Sequence, residues 1–458
     1  MKDKKITTVA TLLLILTNVG LFAAVWMRFY AWYAFRSHLM EGAFGGIAVY
    51  YIIYRWLSKL YRGYSIASTS IDETVLSQFI SFGISDLTMY VGTTLLYRNY
   101  VDILPGAIVV AMQLILSALI IWGAKSALLR HIRPEETLLI YGGSQSRADA
   151  TRFISRLTHK YGHLFHVATV LPEQSDDAAI GAALDKSAYV IFMGVSPAVR
   201  AQWIEVCLDK KKIFYFVPEF ADIVCRCCSV KNLLDTPLMR YDYSYERNRN
   251  FILKRQFDIV LSLLFLIILS PVMLVLALLI HLEDGGPVFF RQDRVTMGGR
   301  QFSILKFRSM VVDAEKYGAI PATEKDPRIT KVGGFMRATR LDETPQFINV
   351  LLGQMSFVGP RPERLLHVAL YEQQLPEFKY RLRVKGGLTG YAQVYGKYNT
   401  SPEDKLKLDM LYIENQSFLL DFKLILLTIK TMFQPESTEG FDQSTSDSIH
   451  KADAGNAR

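Results

Sequence analysis

The chain is expected to fold as an α-helical transmembrane bundle of four spans, followed by a doubly wound α/β domain. A second α/β domain, opening with a re-entrant membrane helix hairpin, completes it. Three observations predict this. Long apolar blocks crowd residues 1–133, and short apolar runs alternate with amphipathic stretches over 134–245. A fifth apolar block, 259–282, has Ser270-Pro271 at its middle and basic residues at both ends. A length of 458 residues leaves room for two or three domains, and half of the residues are apolar.

The spans are expected at residues 6–27, 43–57, 75–97 and 103–124, the first being of bilayer-crossing length. No small-residue cleavage site follows the first, so it reads as an anchor rather than a signal peptide. Lys2, Lys4 and Lys5, then Arg55, Lys59 and Arg62, then Lys125, Arg130 and Arg133 flank alternate ends. The positive-inside rule places the N-terminus and the chain after the fourth span in the cytoplasm. Asp86 in the third span has no partner acid or base in view. A structural role is therefore favoured over a functional one, and a transporter has little support.

The α/β segment reads as strands at 137–143, 165–171, 188–195 and 212–218, with helices at 147–161 and 199–210. Such alternation implies a parallel sheet and a Rossmann-like domain over 134–245. "GGSQSR" after the first strand lacks the G-x-G-x-x-G spacing, so scaffold or regulatory use is favoured over cofactor binding. Cys207, Cys225, Cys227 and Cys228 read as reduced thiols, because "CRCC" is poorly spaced for one tetrahedral metal.

In the fifth block, Pro271 removes a backbone donor and crowds the preceding turn. Lys254 and Arg255 precede the block; Arg291, Arg294 and Arg300 follow it. A hairpin that enters and leaves by the cytoplasmic face satisfies both ends. A proline-kinked fifth span is the other arrangement the sequence allows. The net charge of +9 sits beside apolar blocks, with no basic run interleaved with aromatics. That pattern suits lipid headgroups or phosphorylated substrates and argues against nucleic acid.

Chemistry concentrates after residue 286. Lys306 and Arg308 of "FSILKFRSM" are expected on one strand face, as an anion seat or as a solvated edge. "MRATRLDETPQFINVLLG" sets Asp342 and Glu343 among Arg337, Arg340 and, further on, Arg361 of "GPRPE". Pro345 near a helix start and Gly353 past its end bracket a short helix, putting Asp342 at or beside the N-cap and Glu343 in the first turn. There the helix dipole would hold both carboxylates ionised. Acids at helix starts are common caps. Two adjacent acids ringed by arginines exceed what a cap needs, and Arg361 between two prolines is a stiff guanidinium for a phosphate. A carboxylate among cations is a competent nucleophile at phosphorus, and its neighbour is able to hold Mg²⁺. Phosphoryl transfer from a nucleotide sugar to a lipid phosphate fits such a site beside a half-inserted hairpin.

In chain order the residues "KRQFD", "GPVFFRQDR", "KFRSM", "DAE", "DPRIT", "LDETPQFINVL", "MSFVGPRPE" and "GLTGYAQV" resemble the bacterial sugar transferase family over roughly 254–433. These are the polyisoprenyl-phosphate hexose-1-phosphate transferases; the four spans and the Rossmann-like segment are similar to their large members. The resemblance implies a catalytic domain over 246–433 with Asp342 as catalytic aspartate and Glu343 as its Mg²⁺-associated partner. Lys306, Arg308, Arg337, Arg340 and Arg361 would bind substrate phosphates. Ser270 and Pro271 would break the re-entrant helix, and Lys254, Arg255 and Asp258 would form a structural motif at the membrane interface. It further implies a UDP-sugar donor, glucose or galactose, with undecaprenyl phosphate as acceptor and UMP as leaving group. The product would be the first lipid-linked unit of an exopolysaccharide, capsule or O-antigen. The place would be a bacterial inner membrane, in contact with membrane lipids, with the catalytic domain cytoplasmic; a homo-oligomer is compatible with it. "VKGG" at 384–387 departs from the usual V-K-P-G, Thr296 replaces a usual glycine, and Leu365 and Leu366 follow "GPRPER" where polar or proline residues are frequent. These touch loop rigidity and substrate fit more than the acid pair. Two other readings are a metal-dependent glycosyltransferase releasing UDP and a non-catalytic assembly scaffold. The polar tail 434–458 is expected to be disordered.

Overall fold

A computed structural model describes residues 2–34, 39–143, 145–233, 235–242, 251–314, 326–396 and 400–433. The expected tail after residue 433, Glu315 of the "DAE" motif and the expected junction at 245/246 lie outside the described residues. The chain divides into two compact units, 1–217 and 218–458.

The first unit opens with helix Lys2–Val25, continued by a π-helical turn Trp26–Tyr30 and by Ala31–Ala34, and then has helices Leu39–Leu60, Ile71–Tyr97 and Leu104–His131. The stretches Lys5–Tyr33, Ile71–Tyr97 and Leu104–His131 are long and apolar enough to cross a membrane. Leu39–Leu60 stands where the second span is expected but falls outside that set, its apolar run diluted by Tyr50, Tyr51, Tyr54 and Arg55. Buried amides tie the helices together. Asn18 Nδ2 donates to Tyr54 OH at 3.1 Å and to Ser117 Oγ at 3.0 Å. Gln113 Nε2 donates to Tyr50 OH at 2.9 Å, and Tyr54 OH donates to Gln78 Oε1 at 2.7 Å. Between apolar helices such bonds fix register where non-directional packing does not.

The same unit carries strands β1 (Glu135–Tyr141), β2 (Phe165–Pro172), β3 (Tyr189–Met193) and β4 (Ile213–Phe216), all parallel, in the order β2-β1-β3-β4. Helices Arg147–Tyr161, Asp177–Lys186 and Pro197–Asp209 connect them. Leu138, Ile140, Val190 and Phe192 pack with Ile180, Leu184, Trp203 and Cys207, while Leu139 and Ile191 pack with Ala150. The central strands β1 and β3 are covered on both faces, which is why their middles read as unbroken apolar runs. The order reverses between β1 and β3, the position at which such sheets hold ligand phosphates. Here Glu173, just past β2, fills that position. Its carboxylate accepts from Gly143 N at 3.1 Å and from Ser196 N at 2.8 Å. A side chain on Gly142 would collide with it, at 2.3 Å from Glu173 Cδ.

The second unit is built around helix Phe251–Asp284. Helix Phe220–Arg226 packs into this unit, with Ile223 in its core and Phe220 stacked on Tyr380 at 5.1 Å. Strands β5 (Ser229–Leu233) and β6 (Thr236–Arg240) form one antiparallel pair, and β7 (Phe289–Val295) and β8 (Gln301–Phe307) another. The short strands β9 (Ser356–Val358) and β10 (Gly387–Thr389) pair in parallel. Residues 251–284 form one helical run with Pro271 inside it. Pro271 has no amide for the carbonyl of Ile267, the local condition under which helices bend, and Ser270 Oγ donates to that oxygen at 2.8 Å.

Both ends of this helix are fastened to one domain. Near its start, Lys254 Nζ binds Asp421 Oδ2 at 2.5 Å and Val358 O at 2.9 Å. Arg255 donates to the carbonyls of Val350 and Leu351, both at 2.7 Å, and Asp258 accepts from Ser356 Oγ and Phe357 N. Near its end, Leu276 and Ile280 are buried against Phe307 and Met336. Asp284 pairs with Arg308, and Glu283 accepts from Lys331 N at 2.8 Å.

Glu173 yields a prediction. Burial would raise its pKa, but the amides of Ser196 and Gly143 outweigh burial and hold it below the usual carboxylate range. A depressed folded pKa contributes stability above the unfolded value that is lost as pH falls through the folded one. Glu173→Gln should cost about 1–2 kcal/mol at pH 7. Thermal melts of the detergent-solubilised protein should show this difference shrinking as pH drops below about 4.5.

Candidate active site

The acid pair sits on a kink. Helix Lys331–Ala338 ends at Thr339, and Arg340 takes a left-handed conformation with φ +57°. That reversal starts a 3₁₀ turn, Leu341–Glu343, and the α-helix Gln346–Leu351 begins only after Pro345. Asp342 is therefore not the N-cap expected from the sequence, and neither helical start has a side-chain cap. A left-handed arginine in place of an ordinary cap is the physical reason. The helix ends as expected, at Gly353 with φ +82°. Arg255 covers its last carbonyls.

Glu343 is clamped. Its Oε1 accepts from Lys306 Nζ at 2.7 Å and from Arg361 Nη2 at 2.6 Å. Lys306 comes from the end of β8, and Arg361 from the loop after β9. Burial would raise the Glu343 pKa, but the charges and hydrogen bonds of Arg361 and Lys306 hold it well below the usual value. Asp342 behaves oppositely. Burial and the adjacent Glu343 charge raise its pKa, while Lys306, Arg337 and Arg340 pull it back. Among the described residues none hydrogen-bonds the Asp342 carboxylate. The expectation that a helix dipole holds both acids ionised is thus replaced: cations hold Glu343, and Asp342 is a more basic, unbonded carboxylate.

The predicted basic residues separate into two groups. Lys306, Arg337, Arg340 and Arg361 all act on the acid pair. Arg337 Nε also donates to Ser309 Oγ at 2.9 Å. Arg308 does not join them: both terminal nitrogens bind Asp284, and its Nε donates to Pro287 O at 2.6 Å. The face parity expected for Lys306 and Arg308 fails because β8 stops at Phe307. Asp326 and Arg328 pair with each other at 2.9 and 2.5 Å and serve the local turn. Lys254, Arg255 and Asp258 bind the long helix to the site's supporting elements, and Ser270 and Pro271 lie within that helix.

Two adjacent carboxylates, with no third acid, histidine or cysteine grouped with them among the described residues, do not make a protein cage for a metal. They fit Mg²⁺ that keeps its waters and arrives with substrate phosphates. Asp342 and the second oxygen of Glu343 are the donors left for it.

A set of residues that the sequence did not place at the site lies behind Arg361; Arg294, expected only as a basic flank of the fifth apolar block, is one of them. Arg381 Nη2 donates to Arg361 O at 3.1 Å, and its Nε donates to Asp409 Oδ2 at 2.6 Å. Lys405 Nζ donates to Glu363 at 2.8 Å, and Arg294 donates to Pro362 O at 3.1 Å.

The pattern of the bacterial sugar transferase family matches residues 249–435. The chain is 43% identical over 202 residues to a UDP-glucose:undecaprenyl-phosphate glucose-1-phosphate transferase of Escherichia coli (strain K12), covering 43% of this chain and 42% of that protein. It is 43% identical over 183 residues to a UDP-N-acetylgalactosamine-undecaprenyl-phosphate N-acetylgalactosaminephosphotransferase of Aeromonas hydrophila, covering 39% and 43%. The chain thus matches about two fifths of the length of these relatives. An uncharacterized sugar transferase, EpsL, of Bacillus subtilis (strain 168) is matched over 95% of its length and 43% of this chain at 36% identity. With a relative matched almost end to end, and with Asp342, Glu343, Lys306 and Arg361 assembled within the matched region, the chain belongs to the bacterial sugar transferase family.

Proposed function

We propose that this protein transfers a sugar 1-phosphate from a UDP-sugar to undecaprenyl phosphate, releasing UMP, with Asp342 as nucleophile. The observation that carries this is the asymmetry of the acid pair. Glu343 is held by two cations, and Asp342 is left basic and unbonded among Lys306, Arg337 and Arg340. In the first step an Asp342 oxygen bonds to the sugar-bearing phosphorus, and the bond from that phosphorus to the bridging oxygen breaks. That oxygen and its electron pair leave with UMP. In the second step a lipid-phosphate oxygen attacks the same phosphorus and displaces the Asp342 carboxylate, giving the undecaprenyl diphospho-sugar. Lys306 and Arg361 orient the substrate phosphates and offset the charge that builds up on them. Mg²⁺, when bound at the acid pair, would neutralise phosphate oxygens. The names of the relatives support undecaprenyl phosphate as acceptor and a UDP-hexose or UDP-N-acetylhexosamine as donor class.

The same reading puts the site at the cytoplasmic face of a bacterial inner membrane. The apolar helix Phe251–Asp284 is long enough to cross a bilayer, but both of its ends bind one α/β domain, which supports entry and exit by a single face. A lipid phosphate then meets the acid pair at headgroup depth. Basic flanks on the first unit's helices support the same orientation.

Four outcomes are expected. Asp342→Asn should lower lipid-linked product formation on the order of 10⁴-fold, since a neutral amide is no nucleophile. Wild-type protein given donor without acceptor should release UMP and accumulate a phosphosugar on Asp342 detectable by mass spectrometry; UDP release instead would sink the proposal. The reaction needs ionised Asp342, so kcat/KM should fall as pH drops through a pKa above the ordinary aspartate value of about 3.9, as a pH–rate profile would record. Single cysteines introduced at Leu253 and Gly285, with the native thiols replaced, should both label from the cytoplasmic side with a membrane-impermeant reagent. Labelling from opposite sides would exclude the re-entrant placement.

A further inference from the structure

We propose that Arg381, held by Asp409, is a positioning residue for Arg361. It fixes the peptide that presents the phosphate-facing guanidinium, and it affects transfer only through Arg361. This rests on the reading of the acid pair given above. Arg361 lies between Pro360 and Pro362, whose rings fix their own φ angles, and a residue before proline is restricted to extended backbone. What remains free is the tilt of the peptide planes, and the carbonyls from 360 to 363 are each tied down. Pro360 O accepts from Gly387 N at 2.9 Å, and Glu363 O from Val295 N at 3.1 Å. Pro362 O accepts from Arg294, and Arg361 O from Arg381, each at 3.1 Å.

Arg381 is directed at the Arg361 loop. Its guanidinium lies over the Phe378 ring at 4.6 Å, its Nε is held by Asp409 at 2.6 Å, and its Nη1 stands 4.0 Å from Glu363 Oε1, two residues past Arg361. Only 4% of Arg381 is exposed, and Asp409 is fully buried. Neither has a hydrogen bond or ion pair with Asp342 or Glu343. Stability alone is a poor reason for such a pair, because well-packed apolar residues of equal volume often serve as well or better. An apolar pair cannot supply a rigid fork with one prong on Asp409 and another on the carbonyl of Arg361.

The test is a double-mutant cycle on the full chain in lipid nanodiscs, reading kcat/KM for product formation. Arg381→Lys keeps the charge, but one ammonium cannot reproduce the fork. It should lower kcat/KM about 10- to 100-fold. Arg361→Ala should lower it about 100-fold. In the Arg361→Ala background Arg381→Lys should cost less than about 2-fold, since its only route is gone. Equal losses in both backgrounds would overturn the inference and leave the active-site reading standing. An Arg361→Ala protein working at the wild-type rate would overturn both. Asp409→Asn keeps the volume and frees the guanidinium. Run in the same cycle with thermal melts alongside, it should show a smaller loss, again absent without Arg361, and it decides the matter if Arg381→Lys does not fold.

Discussion

The site depends on one oxygen atom. Glu343 Oε1 is shared by Lys306 and Arg361, two cations from elements far apart in sequence. Their pull on Glu343 separates two neighbouring carboxylates that would otherwise be alike. When like charges are adjacent, one group titrates low and the other is pushed high. Lys306 and Arg361 decide which is which. Much of the surrounding architecture keeps these three groups in register. Asn349, on the helix after the acids, donates to Ser303 O and accepts from Leu305 N, so the acid turn and β8 move together. Arg255 covers the far end of that helix, and Asp258 holds the strand that leads into the Arg361 loop.

The long helix is thus more than a lipid anchor. Its first turns present Lys254, Arg255 and Asp258 inward, and each is consumed by a backbone carbonyl, a backbone amide or a buried acid of the site's scaffold. Its later turns lay Leu276 and Ile280 on Phe307 and Met336, the residues flanking Lys306 and Arg337. Most of its other apolar side chains, Val260, Ile267, Leu274 and Leu278 among them, are exposed and are met by lipid in the re-entrant placement. A helix bound this way couples the depth of the acid pair to the depth of its own apolar face.

Much of this was legible in the sequence because the signals are local. Short apolar runs marked β1 to β4, and a proline and a glycine bracketed the helix Gln346–Leu351. What was misread depends on single atoms or on distant partners. Pro271 is legible as the point where the helix ladder loses a donor, but that the hydroxyl of Ser270 takes up the freed carbonyl of Ile267 is not. Lys306 and Arg308 share a face only if the strand outlasts both, and it ends between them. Asp342 reads as a cap unless the left-handed Arg340 before it is known. Arg381 and Asp409 had no signature, because their meaning lies in reaching one carbonyl in a loop 20 residues upstream of Arg381.

The charge balance of the site argues for what it receives. Lys306, Arg337, Arg340 and Arg361 all act on Asp342 and Glu343. Clustered cations in a partly desolvated site repel one another, and phosphate charge of the kind the proposed donor carries would be drawn to them. Within that field a fully paired carboxylate would be a poor nucleophile, because its lone pairs are already engaged. Leaving Asp342 unbonded, and raising its basicity through burial and the neighbouring charge, keeps an oxygen available for the proposed attack on phosphorus. The same cations that would draw the phosphate in also keep the Asp342 pKa from rising further, which favours the ionised form that the proposed transfer requires.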